Sequence, residues 1–200
     1  IPIPSSSNLV TNTDSVLVLA NKKYRLHADY TPKDLVVPNV KFVSEEYHSK
    51  KLMRQDASKA LEELFSQAKR DDIDIFALSG YRSYQRQEYI FSSKVMERGI
   101  NVANQTSAKP GESEHQTGLA MDVTSPSVNF QLTQYFGQTK EGKWLEENAP
   151  KYGFIIRYPA GKEDITKYNY EPWHIRYVGT DAAQYIMNNN ITLEEYLGKV

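Results

Sequence analysis

The stretch Leu52–Leu78, LMRQDASKALEELFSQAKRDDIDIFAL, joins the clearest helical pattern of the chain to a strand. Over 52–69, Leu52, Ala57, Ala60, Leu61, Leu64, Phe65 and Ala68 fall on one stripe, with Lys, Glu, Gln and Asp opposite. A helix patterned this way must bury its apolar face against a sheet. IDIFAL (73–78) reads as one strand of that sheet, and Ser79-Gly80 breaks it before a second helical pattern over 83–98, which Gly99 ends.

Working outward, Ser15–Ala20 alternates β-branched residues and predicts a short strand, while 24–43, with Pro32 and Pro38, reads as a long surface segment. Downstream, 101–114 reads as loop, LAMDV (119–123) as strand, 143–152 as a short helix interrupted near Pro150, and FIIRY (154–158) and WHIRYV (173–178) as strands. Thr180 caps a helix through Asn188, and Thr192 with Glu195 matches a capping box. Strands and helices alternate too loosely for a doubly wound sheet. The expectation is a single α+β domain over 15–200, with helices packed on a mainly antiparallel sheet. Residues 1–14, IPIPSSSNLVTNTD, have no periodicity and read as a linker or N-terminal arm. The chain begins at Ile1 rather than Met, which suggests a mature or trimmed form lacking its own leader.

Two hundred residues are enough for one domain with a proper core. A net charge of -1, from 24 Lys plus Arg against 25 Asp plus Glu, leaves no basic surplus for a phosphate backbone, so nucleic acid is not an expected partner. No apolar run approaches the ~18 residues of a membrane span, so no insertion is expected, and a monomer is expected. The absence of cysteine removes disulfides, thiolate metal sites and thiol nucleophiles together, and leaves the compartment open. His, Asp and Glu remain as the strong metal ligands.

There are four histidines, and two stand near an acid at a suggestive spacing. In SEHQTGLAMD (113–122), His115 precedes a glycine-containing turn and Asp122 lies on the strand leaving it, so a turn and a strand can deliver two ligands to one point. In EPWH (171–174), Glu171 and His174 are three apart; an ideal strand would send them to opposite faces, and Pro172 favours the irregularity that realigns them. Two imidazoles and one carboxylate with an open fourth position make a catalytic zinc shell, and the ligands are read as His115, Asp122 and His174. Glu171 is then a general base beside a zinc-activated water, and the reaction class is amide hydrolysis. Any one of these residues alone would more often be structural. Asp122 carries most weight, because a carboxylate inside an apolar strand requires a partner. His27 and His48 are read as surface residues.

SGYRSYQRQ (79–87) places Arg82 beyond a strand end at a helix start, where backbone N–H groups and guanidinium together favour an anion such as a substrate carboxylate. The plainer alternative is an exposed salt bridge. Gln87 can present an amide to the same ligand, and Tyr84, Tyr158 and Trp173 are candidate aromatic walls.

Together these segments resemble the VanY-type zinc D-alanyl carboxypeptidases, in the superfamily that includes D-Ala-D-Ala dipeptidases and the hedgehog signalling domain. The likeness spans roughly Leu35–Val178. Its pattern is met by Ser113, His115, Gly118, Ala120 and Asp122, by Glu171 and His174, and by SGYRS around Arg82. The resemblance implies one zinc ion, with Arg82, Gln87 and Ser113 binding the terminal D-alanine carboxylate of a peptidoglycan stem peptide. The wider run FGQTKEGKWLEENAPKYGFIIRYP before EPWHIRYVG is most like the LdcB-type L,D-carboxypeptidases of Gram-positive bacteria, which cut tetrapeptides to tripeptides. The motifs themselves do not separate this from D,D-carboxypeptidase action on pentapeptides. An exported enzyme at the cell membrane's outer face or in the wall is implied. A peptidoglycan endopeptidase would need a groove open on both sides of the scissile bond, which an arginine poised at a chain end argues against. A non-catalytic zinc-containing wall-binding module would have no use for the spare base Glu171.

Overall fold

The computed structural model describes residues 8–200; of the expected 1–14 arm, residues 1–7 lie outside the described residues. The rest of that arm lies against the domain: β1 (Asn8–Leu9) pairs in parallel with β2 (Tyr24–Arg25), and Val10 packs on the core. Next, β3 (Leu35–Val36) pairs antiparallel with β4 (Met53–Arg54). Helix α1 (Gln55–Arg70) follows at once. It starts three residues later than the periodicity predicts, because β4 holds Arg54 extended, at φ -62° and ψ 149°.

The chain continues through β5 (Phe76–Ser79), α2 (Tyr84–Arg98), α3 (Ile100–Thr106), β6 (Ala120–Thr124), α4 (Lys140–Asn148), β7 (Phe154–Tyr158), α5 (Glu163–Thr166), β8 (Glu171–Tyr177), α6 (Thr180–Asn188) and α7 (Leu193–Tyr196). The main sheet has the order β5-β6-β8-β7 and every pairing in it is antiparallel, as expected for an α+β domain. Alternation along its strands separates two faces. Met121, Val123, Phe154, Ile156 and Ile175 join Ala57, Leu61, Leu64 and Phe65 of α1 in the principal core. Burying each such large side chain contributes about 1.5–3 kcal/mol, so this layer fixes the sheet against the helix. On the opposite face, Ile155 packs with Ala182, Ala183 and Ile186 of α6 and Leu193 of α7, leaving part of that face to polar groups.

Two local expectations are corrected. Ser15–Ala20 is not a strand: Val18, Leu19 and Ala20 are buried, but the carbonyls of Val16 and Val18 accept from the Arg176 guanidinium at 2.8 and 2.6 Å rather than from a neighbouring strand. The segment after Gly99 is not all loop, since α3 occupies 100–106. Gly99, at φ 82°, ends α2 and starts α3, so the glycine that closes one helix turns the chain into another. Elsewhere boundaries shift by a few residues: α4 starts at its Thr139 cap and gives way at Ala149–Tyr152 to a 3-10 turn holding Pro150.

Candidate metal centre

Asp122 and His174 are direct partners across the β6–β8 ladder. Because Met121, Val123 and Ile175 point into the core, both side chains emerge on the opposite face. His115 arrives from a short 3-10 turn, Glu114–Thr117, whose cap is Ser113: its Oγ accepts from the His115 N–H at 3.3 Å. Gly118, at φ 69°, then turns the chain into β6.

His115 Nε2 and His174 Nδ1 each lie 3.5 Å from Asp122 Oδ1. All three residues are buried, and one donor atom from each lies within 4.8 Å of the others. Asp122 Oδ1 is buried without a hydrogen-bond partner. An orphaned carboxylate oxygen is costly inside a protein, and a cation held between the three donors removes that cost. The His115 ring is oriented compatibly: its Nδ1 donates to the Gly80 carbonyl at 2.7 Å, which leaves Nε2, on the Asp122 side, to present a lone pair. Two imidazole nitrogens and one carboxylate oxygen fit zinc with a fourth position open.

Burial, aided by Arg82 and opposed by Asp122, holds His115 below the usual imidazole range, so it is neutral as a ligand must be. Burial would raise the Asp122 carboxyl, but the facing histidines bring it lower, so it is anionic.

Glu171 reaches the site through an irregularity in β8. Ile156 faces Ile175, yet Tyr158 faces Glu171, so β8 carries extra residues across this stretch. The bulge, with Pro172 inside it, cancels the alternation that would separate residues three apart. Glu171 Oε2 lies 3.5 Å from His174 Nδ1. Burial, opposed by His174 and reinforced by Asp122, pushes the Glu171 carboxyl up to about 7.

These groups open into a cavity of about 310 Å³. Arg82, Gln87, Ser113, Tyr158 and Trp173 all line it, so the structure gathers the sequence-selected residues around one space. Arg82 is placed by its own N–H, which donates to the His115 carbonyl at 3.0 Å. Gln87 differs from expectation in detail. Its Oε1 accepts from Arg82 Nη1 at 2.9 Å and its Nε2 donates to the Ala108 carbonyl at 2.7 Å, so its amide braces the guanidinium. Tyr84, expected as a wall, sits in the first turn of α2 and is not among the lining residues. His27 and His48 are exposed, as their polar surroundings suggest.

Residues the sequence reading passed over also face the cavity, among them Glu114, Lys94 and Tyr168. Glu114 is fully buried and meets His174 Nε2 at 3.0 Å, Arg157 Nε at 2.5 Å and Arg176 Nη1 at 2.7 Å. A signal for it existed. Arg157 and Arg176 stand within the apolar strands FIIRY and WHIRY, where a guanidinium needs a buried carboxylate.

A buried His-Asp-His cluster, two members on the antiparallel sheet and one on the turn beside it, with a carboxylate next to it and a cation across the cavity, is an arrangement suited to metal-assisted hydrolysis of a substrate with an anionic end. Residues 50–180 match the VanY family, described as D-alanyl-D-alanine carboxypeptidase, and the chain belongs to that family. Among relatives, the Bacillus subtilis protein YodJ is 53% identical over 191 residues, covering 96% of this chain and 70% of its own. The solved structure of the LdcB LD-carboxypeptidase superposes with a TM-score of 0.94 at 51% identity, covering 100% of this chain and 94% of that one. The vancomycin-resistance D,D-pentapeptidase VanY, solved as a variant in complex with Zn(II), gives 0.74 at 33% identity, covering 91% and 98%.

Proposed function

We propose that the protein is a zinc carboxypeptidase that removes the C-terminal D-alanine of peptidoglycan stem peptides, acting as an L,D-carboxypeptidase on tetrapeptides. The observation carrying the reading is Asp122 Oδ1, buried, unpartnered and 3.5 Å from each of two imidazole nitrogens, with Glu171 beside them. His115, Asp122 and His174 would hold the ion. Zinc, when bound, supplies Lewis acidity that lowers the pKa of a coordinated water to about 7 and polarises the scissile carbonyl.

The chain's own residues do the rest. Arg82, braced by Gln87, pairs with the terminal carboxylate and sets the distance from chain end to scissile bond, as exopeptidase action requires. Ser113, on the same wall, adds a hydroxyl to that carboxylate subsite. Tyr158 and Trp173 bound the cavity and give the substrate an aromatic wall. Glu171 takes a proton from the attacking water as the new C–O bond forms, and returns it to the amine nitrogen as the C–N bond breaks.

The L,D sense is supported by the closer likeness to LdcB, at TM-score 0.94 against 0.74 for the D,D-pentapeptidase. The D,D sense on pentapeptides is the second reading, supported by the family's own description. Incubating the zinc-loaded protein with defined tetrapeptide and pentapeptide stems and weighing the products decides between them. Loss of one alanine from the tetrapeptide is the expected result; cleavage of neither peptide overturns the function. Because stem peptides are assembled into the wall, the enzyme is expected to work at the outer face of the membrane or in the wall, and fractionation of cells tests that. No helix among the described residues is long and apolar enough to cross a membrane. A monomer is expected, and light scattering tests it.

A further inference from the structure

The three groups around Glu114 are arranged asymmetrically. Its Oε1 accepts from both Arg157 Nε, at 2.5 Å, and Arg176 Nη1, at 2.7 Å, while Oε2 alone meets His174 Nε2, at 3.0 Å. Both arginines are fully buried and clamped in turn. Arg157 forks onto Glu194 of α7 at 2.7 and 2.5 Å, and Arg176 donates to the carbonyls of Val16, Val18 and Tyr177. Two guanidiniums and two carboxylates balance in charge. Glu194, which lies beyond the residues matched by the family, is thus part of the assembly.

A carboxylate held by two fixed cations cannot turn, and its remaining oxygen can only accept. His174 must therefore carry a ring hydrogen on Nε2, and Nδ1, which lies 3.5 Å from both Asp122 Oδ1 and Glu171 Oε2, is the nitrogen that faces the site and offers its lone pair when the ring is neutral. We propose that Glu114 is a positioning residue of the metal centre: it fixes the tautomer and ring orientation of His174, and the Arg157–Glu194 fork and Arg176 exist to hold it there. The inference rests on the zinc reading of the site, but its first consequence concerns the metal-free ring.

The test follows from the asymmetry. In Glu114→Gln the amide oxygen goes to the two arginine donors, which leaves the amide NH2 facing His174. The ring must then accept at Nε2 and move its hydrogen to Nδ1, onto the atom that should bind metal. Nitrogen NMR of 15N-histidine-labelled, metal-free protein, recorded at a pH high enough that the ring is neutral, should find His174 as the Nε2–H form in the wild type and the Nδ1–H form in E114Q. Zinc affinity, measured by competition with a chromophoric chelator, should fall about 10- to 100-fold in the variant. A wild-type His174 in the Nδ1–H form overturns the proposal, even if E114Q does not fold. So does a folded E114Q that keeps the wild-type tautomer or affinity. A wild type that binds no zinc while His174 is the Nε2–H form rejects the metal reading and leaves the positioning role of Glu114 standing.

Discussion

Asp122 and His174 face each other directly across two antiparallel strands, and His174 Nδ1 lies 3.5 Å from Asp122 Oδ1. The pairing register alone brings two donors together, and only the third, His115, has to be delivered from outside the sheet. Asp122 Oδ1 lacks a hydrogen-bond partner, and a cation between the three donors would partner it. At a hundred times its dissociation constant, zinc should stabilise the fold by about 2.7 kcal/mol. For a domain of this size that raises Tm by roughly 5–10 °C. Asp122→Asn should abolish the zinc-dependent rise and, having lost the anion that the facing histidines favour, should not exceed the wild-type Tm in chelator. Calorimetry with zinc and with EDTA checks both, and an equal rise in the variant would remove Asp122 from the site.

Glu171 lies 3.5 Å from His174 Nδ1 and outside the candidate metal group of His115, Asp122 and His174. Glu171→Ala should retain zinc and lose about 10²- to 10⁴-fold in kcat, the usual worth of a general base. Zinc content and turnover on purified stems measure the two separately. Turnover near the wild-type rate would place proton transfer elsewhere.

Arg82 is expected to pay out its interaction in binding the free carboxylate. Arg82→Ala should reduce kcat/KM by about 10- to 150-fold, corresponding to the ~1.5–3 kcal/mol of a charge-assisted hydrogen bond. The wild type should discriminate against peptides with an amidated C-terminus by a similar factor. If free-acid and amidated peptides are cut equally, Arg82 does not read the chain end.

The acid limb of stability should be steepened by Glu114. Burial alone would raise its carboxyl, but Arg157 and Arg176 outweigh that and hold it well below the ordinary range. The unfolded chain therefore takes up this proton first. Stability from Glu114 is full above about pH 5 and declines by up to about 1.4 kcal/mol per pH unit as pH falls through the unfolded value near 4.3 toward the folded one. Between pH 6 and 3, in chelator, the wild-type Tm should fall more steeply than that of E114Q; parallel curves would contradict the shift.

Gly80 joins the fold to the metal centre. A Cβ there would stand 2.6 Å from the Leu52 carbonyl oxygen and 2.8 Å from Met121 Cε, while the Gly80 carbonyl orients His115. Gly80→Ala should therefore cost about 1–3 kcal/mol by overpacking and also weaken zinc binding, by displacing the acceptor of the ring hydrogen. Denaturant unfolding and chelator competition on the same preparation test the pair of effects.

Local chemistry made much of this readable in advance. The stripe on α1, the strand FIIRY, the Thr192–Glu195 capping box and the residues from 82, 115, 122, 171 and 174 stand out because residue type and short-range period carry their meaning. What the sequence could not decide depends on partners far along the chain. Glu114 and His174 are 60 residues apart, and Arg176 lies 160 from the Val16 carbonyl it holds, so neither contact leaves a periodic trace. The same holds for Ser15–Ala20, whose carbonyls turn to a guanidinium instead of a ladder. Residue identity determined which side chains are capable of the chemistry. Only the folded sheet, through its register, its bulge at Pro172 and its buried charges, decided which nitrogen of each imidazole faces the centre, because hydrogen-bond direction is a property of contacts in space.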